Sequence, residues 1–247
     1  MPPVSTSAIV LQTFKYGDTS KIVRLATRDF GVQSAIAKGA SRPRSRFGGR
    51  LQFLSQGTAQ LYLKHTRDLQ TLAGFDLSAQ RAELAGDVGR YAAAAALAEL
   101  VLRLSPVERH PEIFDLLERS LDRLAIAPPE VAGLLGLAAL WQMVATLGFA
   151  PSLDDCARDG KALPKGAVRF SVTDGGFLCA TCAAGSEAAK LGTEDRQVLE
   201  RLATGETDVT PLSAKQLAAH RRLLARFIRC HASEERALKA LEFWERS

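Results

Sequence analysis

AIVLQTFKYGDTSKIVRLATRDFGVQSAIAK, residues 8–38, decides the reading of the N-terminal third. It holds three β-rich runs of strand length, Ala8–Phe14, Lys21–Thr27 and Val32–Lys38. Gly17-Asp18 and Asp29-Phe30-Gly31 separate them, and such a pattern reads as successive strands joined by tight turns. Phe53–Leu63 and Leu69–Phe75 add two more strands. Between the third and fourth runs lies Gly39–Arg50, a stretch of Gly, Ser, Pro and Arg that only a loop accommodates. Five strands with one long basic loop suit a small barrel of the OB type, although an SH3-like barrel or a small sandwich satisfies the same pattern.

The composition changes near residue 79. Segments 79–104, 111–125 and 130–148 carry apolar residues at helical spacing, with breaks at Pro106, Pro111 and Pro128-Pro129. Residues 150–187 return to Gly, Pro and Cys. Helical spacing resumes over 194–203, 213–230 and 233–244. The expected class is α+β and multidomain: an OB-type barrel over 1–79, an α-helical domain over 80–149 and 188–247, and a zinc-knuckle-like insertion over 150–187. A chain of 247 residues buries enough surface to own a core without disulfides. Val131–Leu153 is uncharged and long enough to raise a membrane span. Gln142, Thr146, three glycines and Pro151 dilute it, and Lys/Arg anchors are missing from its flanks, so it reads as a buried core helix with no membrane contact. Met1–Ser7 has no basic start before an apolar run, so a cytoplasmic location is expected.

The net charge of +5 hides an asymmetry. Residues 1–80 hold eleven Lys and Arg against four Asp, so the remainder is slightly acidic. A basic segment on an otherwise balanced chain implies a polyanionic partner. Arg42, Arg44, Arg46 and Arg50 crowd the Gly/Ser/Pro loop, while Lys21, Arg24, Arg28 and Lys38 lie on adjoining strands and turns. Guanidinium groups there can each meet a backbone phosphate, and contacts of that kind carry no base readout. Tyr16, Phe30 and Phe47 fall in or beside turns and are the candidate base stackers; Phe14, Phe53, Tyr62 and Phe75 fall within strands and read as core.

Cys179-Ala-Thr-Cys182 is a CxxC reached through a hairpin signal at Asp174-Gly175-Gly176. Two thiolates at that spacing chelate one tetrahedral ion. Cys156-Ala-Arg-Asp159 repeats the spacing with a carboxylate in the last place, an acceptable zinc ligand. The set Cys156, Asp159, Cys179 and Cys182 therefore reads as a closed structural zinc site. Free buried thiols and a redox CxxC are the alternatives, the latter without the βαβ pattern it usually has. Cys230-His231 is a rival source of the fourth ligand, although Cys230, at the end of a predicted helix, reads first as a core residue.

Enzyme motifs are missing. GxxxxGK[ST], GxGxxG, GxSxG, HExxH and HxE with PCxxC do not occur, and His65, His110, His220 and His231 are scattered. A binding protein is the expectation; an RNA-binding OB protein and a zinc-dependent nucleic-acid enzyme are the other readings.

Tyr16-Gly17-Asp18-Thr19-Ser20-Lys21-Ile22-Val23, then Thr27, Gly31 and Ala37-Lys38-Gly39-Ala40 before the arginine loop, resemble the N-terminal barrel of the bacterial RecO recombination-mediator family. Leu147-Gly148-Phe149-Ala150-Pro151 before the first cysteine and Gly175-Gly176-Phe177-Leu178-Cys179 at the CxxC continue the resemblance through the rest of the chain. Asp159 departs from it, because family members with a full zinc site have cysteine there and some members lack zinc. The resemblance implies a DNA repair and recombination mediator, not an enzyme. Such a protein binds single- and double-stranded DNA, anneals complementary strands, acts with RecR, contacts the acidic C-terminal tail of single-strand-binding protein, and helps load RecA. It implies DNA contacts at Lys38, Arg42, Arg44 and Arg46. The tail-binding groove is sought around Leu134–Leu147.

Overall fold

The computed structural model describes residues 2–64, 66–106, 108–206, 212–232 and 237–247. His65 and the first residues of the predicted 233–244 helix lie outside them.

Five strands close a barrel: β1 (Val4–Tyr16), β2 (Ser20–Thr27), β3 (Gly31–Ala37), β4 (Gln56–Tyr62) and β5 (Leu69–Ala79). The order around it is β1-β2-β3-β5-β4, with β3 and β5 parallel and every other pair antiparallel. Closure leaves no sheet edge to protect. This is the OB arrangement expected. Inward alternation along each strand fills the interior with Ala8, Val10, Val23, Leu25, Ala35, Ala37, Ala59, Leu61, Leu72 and Phe75.

One irregularity governs the outer surface. Val10 is paired with Leu25 and Gln12 with Arg24, so Leu11 is an extra residue in the ladder. A bulge of this kind inverts the alternation beyond it. Phe14 therefore faces outward and is 43% exposed. Tyr62 also stands on the outer face, 44% exposed. Both depart from the core placement expected; of the four aromatics so placed, Phe75 is buried and Phe53 half-buried. Phe53 precedes β4, because Leu54 at φ +63 interrupts an extended chain.

By contacts the chain divides into two units. The first comprises 1–86 and 98–126, the second 87–97 and 127–247. In the first, helix α2 (Pro111–Ile126) lies by the barrel, its Pro at the first helical turn where no amide is needed. Arg28 donates to both oxygens of Asp115 at 2.7 and 3.0 Å. Buried Arg81 donates to Asp122 at 2.7 Å and also to Gln56. The helix expected over 79–104 begins later, as α1 (Val88–Leu104). β5 runs on to Ala79, Arg81 sits at φ +49, and the Asp87 carboxylate caps the new helix by accepting from the Arg90 amide.

In the second unit α3 (Pro129–Val144) is the apolar segment, and Pro129–Phe149 is long and apolar enough to cross a membrane. Its Leu137, Leu140, Trp141, Met143 and Val144 are fully buried, the pattern of a helix wrapped by protein. The chain leaves it at Gly148, φ +93. A three-stranded sheet follows, β6 (Val168–Ser171), β7 (Gly176–Leu178) and β8 (Ala189–Leu191), ordered β7-β6-β8. The short helix α4 (Ala180–Ala183) stands between β7 and β8. Helices α5 (Thr193–Thr204), α6 (Ala214–His231) and α7 (Lys239–Arg246) complete the unit. Ser213 and Gln216 close α6 with a reciprocal capping box. Phe170 and Phe227 pack on Trp141 with ring centroids 6.5 and 5.3 Å away, which ties sheet to helices.

Candidate nucleic-acid interface and metal centre

The arginine segment is held at the barrel, not loose. The Ser41 amide donates to the Thr19 carbonyl at 2.8 Å, pinning its start to the β1–β2 turn. Thr13 donates its hydroxyl to the Leu51 carbonyl at 3.2 Å near its end. Along the segment Ala40, Phe47 and Leu51 join the barrel core. Phe47 is 1% exposed, so it is no base stacker; it anchors the segment, worth about 1.5–3 kcal/mol of burial. Besides these hydrogen bonds, the loop stays put by sinking its apolar members while leaving its cations outside. Lys38, Arg42, Arg44, Arg46 and Arg50 are all exposed. The Arg46 guanidinium lies 5.1 Å from the Phe47 ring centroid.

Strand register adds to this edge. Lys21 is opposite both Lys15 and Ala37, and Ala37 leads directly into the arginine segment. Three strand ends therefore bring Lys15, Lys21 and Lys38 to one end of the barrel. Arg24 lies on the outer face between Gln12 and Ser34. Among the described residues none of Lys21, Arg24, Lys38, Arg42, Arg44, Arg46 and Arg50 enters an ion pair with an acidic side chain. Arg28 differs, being committed to Asp115. Phe30 sits in the β2–β3 turn, at the opposite end of the strands from the arginine segment, so of the three candidate stackers only Tyr16 is well placed, 51% exposed beside the β1–β2 turn.

In the second unit the side chains of Cys156, Asp159, Cys179 and Cys182 have ligand atoms all within 4.8 Å of one another. Two turns bring them together. Residues before Cys156 run beside β7: the Phe177 amide donates to Ser152, and the Ala157 amide donates to Phe177. Gly176 is needed where these chains cross, since a Cβ there would stand 2.1 Å from the Ser152 carbonyl oxygen. The Gly160 amide donates to the Cys156 carbonyl and Gly160 takes φ +68, which turns Asp159 back toward the cysteines. Cys179 caps α4, its sulfur 3.5 Å from the Cys182 amide.

The electrostatics suit a cation. The Asp159 carboxylate oxygens lie 3.7 and 3.8 Å from the Cys179 sulfur. The Cys156 thiol and then the Lys161 amide hold the Asp159 carboxyl well below the usual carboxylate range. Burial, with the neighbouring thiol and carboxylate, pushes the Cys182 thiol up to about 12. Three thiolates and a carboxylate would overcharge a divalent ion, and Lys161 stands by to offset part of this, while the charge of nearby Arg158 is taken up by Asp174. Lys161 Nζ is 3.3 Å from Asp159, and Arg158 donates to the Cys182 carbonyl at 3.0 Å while pairing with Asp174. The donor types and their clustering fit a tetrahedral thiophilic ion. Cys230 and His231 are not brought into the set. Cys230 is exposed rather than core, and His231 hydrogen-bonds the Val172 carbonyl.

The family model described as recombination protein O N terminal matches residues 1–81, and that described as recombination protein O C terminal matches residues 85–242. The DNA repair protein RecO of Anaeromyxobacter sp. (strain K) is 38% identical over 188 residues, 75% of this chain and 72% of the relative. The DNA repair protein RecO of a Nocardioides species is 35% identical over 244 residues, covering 97% of this chain and 98% of the relative.

Proposed function

This chain belongs to the recombination protein O family, and on that footing we propose that it binds single- and double-stranded DNA without regard to sequence and anneals complementary strands. The observation that carries the reading is a run of exposed cations, Lys38, Arg42, Arg44, Arg46 and Arg50, on a segment anchored at the barrel by Phe47 and Ser41. Lys21 and Arg24 extend it. Annealing then needs no bond-making chemistry. Two phosphate backbones repel, and a fixed basic surface offered to both lowers the barrier to their meeting. The protein in this reading is a mediator, not an enzyme.

The partners in this reading are RecR, the acidic C-terminal tail of single-strand-binding protein and, indirectly, RecA, and the setting is the cytoplasm at the nucleoid. The working parts are a DNA-binding barrel over 1–79, a helical part over 80–149 and 188–247, and a cysteine hairpin over 150–187. Cys156, Asp159, Cys179 and Cys182 would hold a structural zinc ion, which when bound would cross-link the 152–161 turn to α4. The ligand atoms of these four residues lie within 4.8 Å of one another, the clustering a four-ligand structural site needs.

The test is annealing of complementary strands coated with single-strand-binding protein, with and without that protein's acidic tail. Acceleration that depends on the tail is expected. Equal, uncatalysed rates in both cases would remove the mediator role.

A further inference from the structure

The bulge at Leu11 leaves two aromatic rings on the outside of the barrel with nothing to do in the core. Phe14 and Tyr16 are two residues apart on β1, so they share a face and stand about 6.7 Å apart along the strand. They are 43% and 51% exposed, and neither contacts another ring among the described residues. Their neighbours continue the face. Phe14 is opposite Ile22, and Ile22 is opposite Ile36, both half-buried. Arg24 projects on the same face, one diagonal step from Phe14. An isolated surface aromatic needs no explanation, but two in line, floored by isoleucines and bordered by an unpaired arginine, form a platform.

Charge decides the occupant. A protein partner for this face would bring acidic side chains and apolar ones; a lipid surface would need a broader apolar wedge. On this outer face Arg24 and, just past β3, the exposed Lys38 border a strip only two rings long, exposed Arg42 follows on the segment that Ser41 pins to the β1–β2 turn, and Asp18 is the single acid in that turn. Positive charge beside stackable rings matches a polymer with a phosphate backbone and flat bases. Duplex bases are already stacked and withdrawn from such a surface. We propose that Phe14 and Tyr16 form a base-stacking platform that takes unpaired bases and so gives the barrel a preference for single strands over duplex. This rests on the preceding reading of the basic segment as a backbone grip, and adds a contact that the phosphates cannot supply. The rings read no sequence, because every base has a π-face.

The test compares an oligothymidylate strand with an abasic deoxyribose-phosphate strand of equal length, both titrated with the intact protein at fixed salt and across a salt series. The expected result is oligothymidylate binding at least about fivefold tighter, with equal salt slopes on the two strands, since each stacked base contributes on the order of 1–3 kcal/mol. Phe14→Ala with Tyr16→Ala should bring the two affinities within about twofold, leave the slope unchanged, and leave thermal unfolding close to that of the parent because both rings are exposed. Phe14→Tyr should keep the preference. Equal affinity of the parent protein for both strands, which needs no variant to observe, overturns the platform while leaving the phosphate grip intact. A preference that survives the double substitution also overturns it. Salt-independent or absent binding to both strands overturns the grip itself, and the platform with it.

Discussion

The Ser41 amide donates to the Thr19 carbonyl at 2.8 Å, and this one bond fixes where the arginine segment meets the first hairpin. From there Arg42 points into solvent, while Arg28, at the other end of β2, is committed to Asp115. The two arginines should therefore behave differently in titrations with single-stranded DNA. Arg42→Ala should lower the slope of log affinity against log salt by about 0.7, the share of one phosphate contact. Arg28→Ala should leave the slope unchanged. Equal losses would mean that position along the strand does not matter.

Phe47 is what turns a Gly/Ser/Arg stretch into a surface. Phe47→Ala should cost about 3–5 kcal/mol in urea unfolding, the usual penalty for emptying a buried aromatic site. Near the folded baseline it should also make Gly39–Arg50 the first segment cut by trypsin. Phe47→Leu should be milder on both measures.

The cysteine set should carry one zinc ion per chain by elemental analysis. Cys182→Ser should reduce the metal content and lower the thermal midpoint, and chelation should do the same to the parent protein. Asp159→Cys should retain the ion. Because burial keeps the Cys182 thiol protonated well beyond neutral pH when no ion is bound, loading must expel its proton. Zinc affinity should accordingly rise with pH, and calorimetry in buffers of different ionisation enthalpy should register proton release.

His220 gives a separate pH signature. Its side chain is 2% exposed, with Nε2 3.5 Å from Asp195. Burial pulls its pKa below the usual imidazole value, against a smaller upward pull from Asp195. The unfolded chain therefore binds a proton at about pH 6.5 that the folded one refuses until lower pH. The stability this neutral histidine allows is fully present above about pH 6.5 and is lost as pH falls toward the lower folded value. His220→Gln should flatten the fall in urea midpoint as pH drops below about 6.5. An unchanged pH profile would mean that the imidazole is hydrated in the native protein.

Much of this was legible in the residues, for physical reasons. Alternation and turn residues mark β2 and β3 to within a residue, and Pro111, Pro129 and Ser213 mark helix starts because each answers a specific need of the first turn. The CxxC spacing and its Cx2D echo identify the clustered ligands, since chelate geometry depends on local spacing. What was not legible depends on tertiary context. Strict alternation from Ala8 and Val10 places Phe14 inside; the extra residue Leu11 reverses it, and nothing in that run distinguishes a bulge from a regular strand. Phe47 sits in a loop by every local signal, yet the barrel end offers it a cavity. The shared apolarity of 79–104 conceals the strand end at Ala79 and the true start at Val88, though Asp87 as a cap was a readable clue.

The most direct measurement is the salt dependence of DNA binding by the parent protein and by one with Arg42→Ala, Arg44→Ala and Arg46→Ala. Loss of three phosphate contacts should shrink the slope by about two on single strands and by nearly three on duplex. Identical slopes before and after substitution, in a protein that still unfolds cooperatively, would contradict an ionic grip by this segment.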